Sequence, residues 1–521
     1  MNGVSSNDSK VHKDLPWRLA GLFLLYALLH AAVFLYFGPQ FLDDAYITFR
    51  YVARLAAGKG FTFNDGMAVL GTTTPLWTLL LALCRVAGMS LVLSVALLTC
   101  LSAAWLCLSI LNILEHFGHR VLGYLAGPAL LVCVYWLWAF LIGMETVLTV
   151  AVTVAIMERI VRRDYRGVGL LGTLACLARP EGAVIALLGL GTAAWEDRRG
   201  FKREIAIFAL TLMPWVVYAF FVFGSPLPHS VAAKQVAHPA GFAHVLASTW
   251  GLVWEESFGV LETLLALVGI LAVVKRWRRA WVFPVWIGAY SLGLASSGIM
   301  VFAWYLSPLI AVLWILGLLG AGYAADCAGA HLEKSKHEPF GLKPRQMAVF
   351  LQVAIVVAVV AQSSGFWRRN WQEFPKAFTS KETLYLAIAD NLRPKLPQGT
   401  KVFVGEVGVF AYALPQCEIL DSSGINTPEI LKIRIETMNA SGAESSDDAP
   451  QWVLSVLREM KPDVIISIVS LIGGEALLIH PDVVRDYALV ASYRSDWGEV
   501  VVLRRTDPGR AKNFLDSGEG S

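Results

Sequence analysis

The segment FLDDAYITFRYVARLAAGKGFTFNDG, residues 41–66, comes directly after an apolar run that ends at Phe37. It begins with two adjacent carboxylates, Asp43 and Asp44, which this position puts at a membrane surface, facing water or a cavity. Neighbouring like charges disfavour each other's ionisation, and a flanking bilayer strengthens that effect. Acids beside a bilayer are costly and are rarely found there without a use. The pair is the first indication of chemistry in this chain.

The composition places the chain among the polytopic membrane proteins. Its 521 residues are 56% hydrophobic and 16% charged, whereas a soluble chain has about a quarter charged residues. The net charge of +3 gives no argument for nucleic-acid binding. The 7 cysteines show no metal-ligand spacing, so the pattern supports neither a zinc site nor a disulfide framework.

Apolar runs and basic clusters together predict the topology, because basic clusters mark the cytoplasmic side. Runs that are long enough, or nearly long enough, to span a membrane occur at 18–37, 75–111, 121–142, 146–161, 166–194, 205–223, 258–274, 281–297, 301–324 and 346–363. The run 166–194 lies between two basic clusters, which predicts a hairpin that turns at Ala178–Gly182. We expect about eleven helices, with one half-inserted piece between 75 and 161.

This topology divides the chain into four parts. Residues 1–16 are predicted to be cytoplasmic and 17–363 to form the transmembrane domain. That domain carries a first outer loop at 38–74, with an amphipathic surface helix over 44–60, and a second outer loop at 224–257. Alternating helix and strand patterns over 364–507 predict an extracytoplasmic α/β domain. Residues 508–521 read as a disordered tail.

Several further stretches carry a family resemblance. They are GTTTPLW (71–77), GMET (143–146), ARPEG (178–182), FGSPLPHSVAAK (223–234) and AWYLSP (303–308). Together with residues 43–66 they resemble the GT-C fold glycosyltransferases, and they are most similar to cell-wall arabinofuranosyltransferases of the terminal β-1,2-adding type. The similarity runs along most of the chain. His229 departs from the pattern, because relatives often have Asn there in a PLPNT motif.

The resemblance implies both a fold and a reaction. The fold is a mainly α-helical membrane bundle with a C-terminal extracytoplasmic α/β domain. The donor is a sugar on a polyprenyl phosphate, the acceptor is a hydroxyl group on the outer face, and transfer inverts the anomeric centre. The carboxylate after the first helix is the expected base.

Asp43 and Asp44 are the predicted catalytic residues. A sugar hydroxyl has a pKa far above neutral, so a positioned carboxylate must accept its proton as it attacks. Family position favours Asp43 as this base, while Asp44 can orient the acceptor. The alternative is that the acids cap the following helix, and this explanation applies above all to Asp44.

Four basic residues are predicted to bind the donor phosphate: Lys234, Arg50, Arg179 and His229. Lys234 suits a phosphate as a point charge, and it would stabilise the charge that develops on the leaving group. The alternatives are ordinary ones. Arg50 would meet lipid headgroups, Arg179 would pair with Glu181, and the loop that carries His229 would be solvated.

Four further residues are predicted to bind sugar or acceptor: Tyr46, Glu145, Trp304 and Tyr305. Tyr46 is four residues before Arg50 and shares its helix face. Glu145 begins a span, where the helix dipole alone would favour an acid. Trp304 and Tyr305 end a span, where aromatic residues commonly form an interfacial belt.

The sequence therefore predicts an integral membrane enzyme with a cytoplasmic N-terminus and an extracytoplasmic C-terminal domain. The first choice of sugar is arabinofuranose, and the acceptor is a glycan, lipid or protein. Alternatives are a mannosyl or other pentosyl transferase, a flippase or transporter of polyprenyl-linked sugars, and an envelope scaffold. No cofactor is predicted and no metal ligands are identified, although the pattern leaves the use of a divalent metal open. Neither nucleic acid nor nucleotide is an expected partner.

Overall fold

The computed structural model describes residues 38–256, 259–335, 342–370, 374–441, 450–471, 473–495 and 498–506, together with short pieces of 17–36. Several predictions fall outside these residues. They concern the cytoplasmic segment 1–16, much of the first span, nearly all of the low-complexity loop 441–449, and the tail 508–521.

The described part is mostly helical. Its helices are α1 Asp43–Ala56, α2 Pro75–Val86, α3 Leu91–His116, α4 Arg120–Val132, α5 Val134–Leu141, α6 Thr146–Arg162, α7 Val168–Ala178, α8 Gly182–Glu196, α9 Arg198–Phe223, α10 His229–Ala237, α11 Phe242–Glu256, α12 Val260–Lys275, α13 Val282–Ser296, α14 Ser307–Ser335, α15 Pro344–Asn370, α16 Phe374–Leu392, α17 Gly408–Ala413, α18 Pro428–Ser441, α19 Gln451–Met460, α20 Gly474–Ile479 and α21 Pro481–Asp486. The strands are β1 Lys401–Val404, β2 Glu418–Asp421, β3 Val464–Ile468, β4 Tyr487–Ser495 and β5 Gly498–Arg505.

Membrane-spanning candidates follow from helix length and composition. Within the described residues, 4 helices are long and apolar enough to cross a membrane, or up to 6 if each bent pair is one span. The bent pairs are α5 with α6 and α11 with α12, each bent by 117°. Helix α2 has 12 residues, which gives a length of about 18 Å, well below the ~30 Å of a hydrocarbon core. The figure of about eleven helices stays a prediction.

The hairpin predicted for 166–194 is present. Helices α7 and α8 are joined at Arg179–Glu181, and the Gly182 N–H donates to the Arg179 carbonyl at 2.9 Å. Gly182 is required at this position because a Cβ atom there would lie 2.1 Å from the Ala175 carbonyl oxygen. Pro180 and Gly182 thus end the first short apolar helix and allow the second to pack against it.

The break between α5 and α6 identifies an irregular span in the region where a half-inserted piece was expected. Gly143 has a φ of +81°, a backbone angle that residues other than glycine rarely adopt. A Cβ atom on Gly143 would also lie 2.7 Å from the Phe41 ring. The chain therefore bends at GMET and carries Glu145 into the interior, where it is buried.

Helix α1 differs from its prediction as a surface helix. Phe49 and Tyr51 are fully buried, and the polar residues Arg50 and Arg54 are buried as well. The sequence pattern correctly separated apolar from basic positions. It assigned the basic side to the membrane surface, because three of the carbonyls that Arg50 binds lie more than 350 residues later in the chain. Arg54 is instead bound by nearby residues, Thr62 and Asp65.

The C-terminal part forms a mixed sheet with strand order β2-β1-β3-β5-β4. Strands β2, β1 and β3 are parallel to one another, whereas β5 runs antiparallel to β3 and β4. Strands lie at Lys401–Val404, Glu418–Asp421, Val464–Ile468 and Gly498–Arg505, as the sequence predicted to within a residue or so. The sequence did not predict β4, α17, α20 or α21, of which the last two have 6 residues each. Strand β4 has mostly exposed or half-buried residues after its first, and α17 has 6 residues, so neither leaves a strong pattern.

Candidate functional site

Two adjoining cavities lie where α1, α8, α10, α13 and the loop before α14 meet. The larger has a volume of about 290 Å³ and walls that are mostly apolar, among them Val184, Leu294 and Val301. The smaller, of about 40 Å³, has polar walls that include Asp44 and Glu145. Thr73, Ser230 and Lys234 line both cavities. The two therefore form one site with a polar part and an apolar part.

Asp44 and Lys234 face each other across the polar part. The Lys234 Nζ atom lies 3.9 Å from the Asp44 Oδ2 atom, and the Asp44 side chain is 34% exposed. Burial acts to lower the pKa of Lys234, but Tyr305 and Asp44 outweigh it, and the pKa is raised. The site therefore contains a charged lysine and a carboxylate that is accessible from the cavity.

A second cation, Arg179, is bound by two carboxylates. Its Nη1 atom donates to Glu145 Oε1 at 2.6 Å, and its Nη2 atom lies 3.3 Å from Glu181 Oε1. Its guanidinium also lies over the Tyr305 ring, 4.6 Å from the centroid. Because two acids surround Arg179, its charge is balanced within the protein. The salt bridge with Glu181, which was the ordinary explanation for Arg179, is present.

Aromatic rings form one wall around Lys234. The ammonium lies 5.5 Å from the Phe302 ring, 6.0 Å from Trp304 and 5.8 Å from Tyr305. These contacts hold the charge through cation–π attraction. Trp304 lines the polar cavity and Tyr305 the apolar one. Each of the two residues thus lines a cavity, and their binding of sugar or acceptor stays a prediction.

Threonine hydroxyls line the opposite wall. Thr48 Oγ1 lies 3.3 Å from Thr72 Oγ1, and Thr72 Oγ1 lies 3.1 Å from Thr74 Oγ1. Thr48 comes from α1, while the other two belong to the GTTTPLW segment. The chain of hydroxyl groups offers both donors and acceptors to a polyhydroxylated ligand.

Asp43 points away from the cavities. Its two carboxylate oxygens accept the backbone N–H groups of Gly408 at 2.9 Å and Val409 at 2.8 Å, at the N-terminus of α17. Burial, reinforced by the Glu406 carboxylate, raises the pKa of Asp43 to about 7. Asp43 lines neither cavity. Asp43 therefore caps a helix of the C-terminal part, whereas the alternative in the prediction was a cap on α1, above all by Asp44.

Arg50 binds the other end of the same short helix. Its guanidinium donates to the carbonyls of Ala411, Leu414 and Cys417 and to that of Phe63, and it also donates to the Asn64 side chain. These bonds occupy the donors that a phosphate would need, and Arg50 lines neither cavity. Asp43 and Arg50 therefore hold α17 at both ends, with charges that match its dipole.

Tyr46 and His229 also lie outside the two cavities. Tyr46 is buried against Phe41, Phe49 and Tyr412. The His229 N–H donates to the Leu70 carbonyl at 2.9 Å, and its Nδ1 atom lies 3.3 Å from the Ile425 carbonyl oxygen. His229 thereby fixes the start of α10 and positions Lys234 five residues later.

The sequence analysis did not single out Ser230 or the threonines of GTTTPLW as site residues. A signal for Ser230 was present, since it lies four residues before Lys234 and shares its helix face. The threonines carry no charge and repeat no spacing, so they gave no comparable signal. Within the described ranges, no group of three or more His, Cys, Asp or Glu residues could hold a metal ion.

The fold of the chain is similar to that of several solved proteins. A family described as a domain of unknown function (DUF8728) matches residues 369–511. No curated protein sequence matches the chain. Among solved structures, ArnT from Cupriavidus metallidurans bound to undecaprenyl phosphate is similar, with 16% identity and a TM-score of 0.54. The alignment covers 93% of this chain and 97% of that one.

Two further structures are also similar. The same ArnT in the apo state has 14% identity and a TM-score of 0.54, covering 93% of this chain and 98% of that one. The arabinofuranosyltransferase AftD from Mycobacteria has 15% identity and a TM-score of 0.50, covering 94% of this chain and 40% of that one. These are GT-C proteins, and at such identities the likeness shows the fold. The fold expected from the sequence resemblance is therefore confirmed at the level of GT-C.

Proposed function

We propose that this chain is a membrane glycosyltransferase that moves a sugar from a polyprenyl-phosphate donor to a hydroxyl acceptor on the outer face of the membrane. The observation that carries the proposal is the pairing of Asp44 with Lys234 at the junction of a polar and an apolar cavity. A lipid-linked sugar phosphate has these parts in the same order: a polar ring, an anion and a hydrocarbon chain.

Asp44 acts as the general base in this proposal. Its carboxylate is accessible from the polar cavity, whereas both oxygens of Asp43 are engaged by backbone N–H groups. The acceptor oxygen attacks the anomeric carbon and its proton passes to Asp44. The bond from that carbon to the phosphate oxygen breaks, and the configuration inverts. Family position favoured Asp43 for this role, and the hydrogen bonding favours its neighbour.

Lys234 stabilises the phosphate that leaves. The polyprenyl phosphate gains negative charge as the bond breaks, and a nearby ammonium lowers the energy of that state. Arg179 is less suited to direct binding because Glu145 and Glu181 already balance its charge. Its contact with Tyr305 makes it a positioning residue for the aromatic wall.

The polar cavity, with Glu145, Trp304 and the threonine hydroxyls, takes the sugar in this proposal. The apolar cavity takes the first units of the polyprenyl chain, because its walls provide hydrocarbon contact. The neighbours support this assignment, since ArnT was solved bound to undecaprenyl phosphate and AftD is an arabinofuranosyltransferase. Arabinofuranose is our first choice of sugar, and mannose or another pentose is the alternative.

A transfer assay tests the proposal. Purified protein in nanodiscs is given a radiolabelled polyprenyl-phosphate arabinofuranose and a glycan acceptor, and released polyprenyl phosphate is measured. We expect release by the unaltered protein and a kcat about 10²- to 10⁴-fold lower for Asp44→Asn. Asp43→Asn is the matched control, because it makes the same substitution at the neighbouring residue. We expect it to lose less turnover than Asp44→Asn.

Two results would contradict the proposal. If Asp44→Asn turned over normally while Asp43→Asn lost activity at unchanged stability, Asp43 would be the base. If labelled donor crossed the membrane of a vesicle from one leaflet to the other without release of polyprenyl phosphate, the protein would instead be a flippase.

A further inference from the structure

One buried hydroxyl group in the site lacks a hydrogen-bond partner. The Ser230 side chain is 2% exposed, and its Oγ atom has no partner among the described residues. A serine within a helix commonly bonds the carbonyl four residues earlier. For Ser230 that residue is Pro226, which precedes α10. Such a buried hydroxyl is unfavourable unless a ligand or a water molecule supplies the missing partner, and Ser230, unlike Ser109, lines a cavity that a ligand can enter.

The position of Ser230 indicates which ligand group it meets. It lines both cavities, as do Thr73 and Lys234. Ser230 and Lys234 are four residues apart in α10 and therefore lie on the same helix face. A group held at the junction of the cavities would meet an ammonium and a hydroxyl from one helix.

The charges at the junction favour an anion. Within the described part of the chain, Asp44 is the carboxylate that pairs with Lys234, and its distance of 3.9 Å is beyond hydrogen-bond distance. Glu145 and Glu181, which also line the cavities, pair with Arg179 instead. Ser230 lies in the first turn of α10, where the helix dipole adds partial positive charge. An oxyanion would satisfy the ammonium, the hydroxyl and the dipole together.

We propose that Ser230 donates a hydrogen bond to a phosphate oxygen that Lys234 binds at the same time. The inference rests on the proposed function and adds to it a second point of attachment for the donor phosphate. A phosphate ester offers several acceptor oxygens, so it can bind a hydroxyl and a point charge together. The neighbouring apolar walls, such as Leu294 and Val301, favour a phosphate with a hydrocarbon chain over free phosphate.

Direct binding tests this inference without turnover. The affinity of purified protein in nanodiscs is measured for undecaprenyl phosphate, undecaprenol and inorganic phosphate. Ser230→Ala is compared with Ser109→Ala, which removes another buried serine hydroxyl without a partner, in α3 and away from both cavities. We expect Ser230→Ala to bind undecaprenyl phosphate about 10- to 100-fold more weakly. Ser109→Ala should bind it like the unaltered protein.

Melting temperature separates binding from a structural role. Removing an unpaired buried hydroxyl should leave the melting temperature of unliganded Ser230→Ala unchanged or higher. Undecaprenol should bind Ser230→Ala and the unaltered protein equally, because it has no phosphate.

The outcomes distinguish this inference from the function on which it rests. Equal affinity of Ser230→Ala and the unaltered protein for undecaprenyl phosphate would overturn the role of Ser230 and leave the transferase proposal standing. Failure of the unaltered protein to bind undecaprenyl phosphate would refute the donor itself. If inorganic phosphate bound as tightly as the lipid, the junction would be a site for free phosphate and the lipid assignment would fall.

Discussion

At the scale of single residues, the adjacent acids have separate environments. Consecutive residues on a helix point about 100° apart, so Asp43 is directed to α17 and Asp44 to the cavity. The sequence identified the pair and offered both a base and a cap as its uses. It could not assign the two uses, because the N–H groups that bind Asp43 belong to Gly408 and Val409, more than 360 residues later.

The raised pKa of Asp43 predicts a pH-dependent stability. Folding raises the pKa of Asp43 from 3.8 to about 7. The protonated carboxyl group therefore makes its full contribution to the stability of the fold at a pH below 3.8. That contribution is lost as pH rises through about 7. The melting temperature should therefore fall between about pH 5 and about pH 8. Asp43→Asn, which resembles the protonated acid, should remove most of this slope.

Burial also raises the pKa of the neighbouring Glu382, so a part of the slope will remain. Glu382 accepts the Asp43 backbone N–H at 3.1 Å, and Lys381 lies 2.6 Å from Glu406. Thermal unfolding in the same detergent across the pH range measures the difference between the two proteins. Parallel curves for Asp43→Asn and the unaltered protein would refute the link to Asp43.

The buried ion pair predicts a second effect. Arg179→Met should destabilise the protein by about 3–5 kcal/mol, because it leaves the buried Glu145 carboxylate without its cation. Adding Glu145→Gln should recover a large part of that loss, since no buried charge then remains. Denaturant unfolding of the single and double variants measures the coupling, and additive losses would show that the pair does not act as a unit.

At the scale of elements, α1 and α17 form the junction between the first outer loop and the C-terminal part. The side chain of Asn64 extends this junction, because it donates to the Ile419 carbonyl at 2.8 Å and accepts the Ile419 N–H at 3.1 Å. Asn64 thus imitates a neighbouring strand along the edge of β2. The loop is a docking surface rather than a free membrane-surface helix.

Close contact at this junction predicts the effect of one methyl group. A Cβ atom on Gly408 would lie 1.8 Å from the Asp43 carbonyl oxygen, so Gly408→Ala must displace α17 from α1. We expect a loss of about 1–3 kcal/mol and faster proteolysis of the C-terminal part. Gly191→Ala is the matched control, because a Cβ atom there meets nothing within 4 Å. Equal proteolysis rates would show that α17 does not need the contact.

Elements with strong local signals were predictable from sequence. The hairpin of α7 and α8 followed from Pro180 and Gly182, and the buried strands β1 and β3 followed from their apolar runs. Elements that depend on a distant partner were not. Helix α17 is short and acquires its caps from α1, and Arg50 reads as an interfacial arginine until the carbonyls that it binds are known.

At the scale of the whole molecule, the topology remains a prediction that labelling can test. A cysteine placed at the exposed Glu475 in the C-terminal part should react with a membrane-impermeant maleimide in intact cells. A cysteine at the exposed Arg199, in a basic cluster, should react only after lysis. Both variants need Cys327→Ser, because Cys327 is exposed. Labelling of both positions in intact cells would refute the assigned sidedness.

Residues from the first outer loop and from the C-terminal part together surround Asp44, the proposed base. Asp44 is directed into the cavity because its neighbour Asp43 is fixed by α17, and Ile425 of the C-terminal part also lines the polar cavity. The resemblance predicted the bundle and the acids of the first loop. The contacts with Asp43 and the position of Ile425 give the C-terminal part a role in positioning Asp44.

The hydrogen bonds by which Asp43 and Arg50 hold α17 also have a consequence for biogenesis. Asp43 and Arg50 are synthesised early, whereas the two backbone amides that Asp43 binds and three of the carbonyls that Arg50 binds follow more than 350 residues later. Until then Arg50 has only its nearby partners Phe63 and Asn64, and the Asp43 carboxylate lacks the two amides that bind it in the folded protein. Docking of α17 is therefore a late step of assembly with a high contact order. Chains truncated before residue 408 should reach the membrane with an open first loop and a misdirected acid.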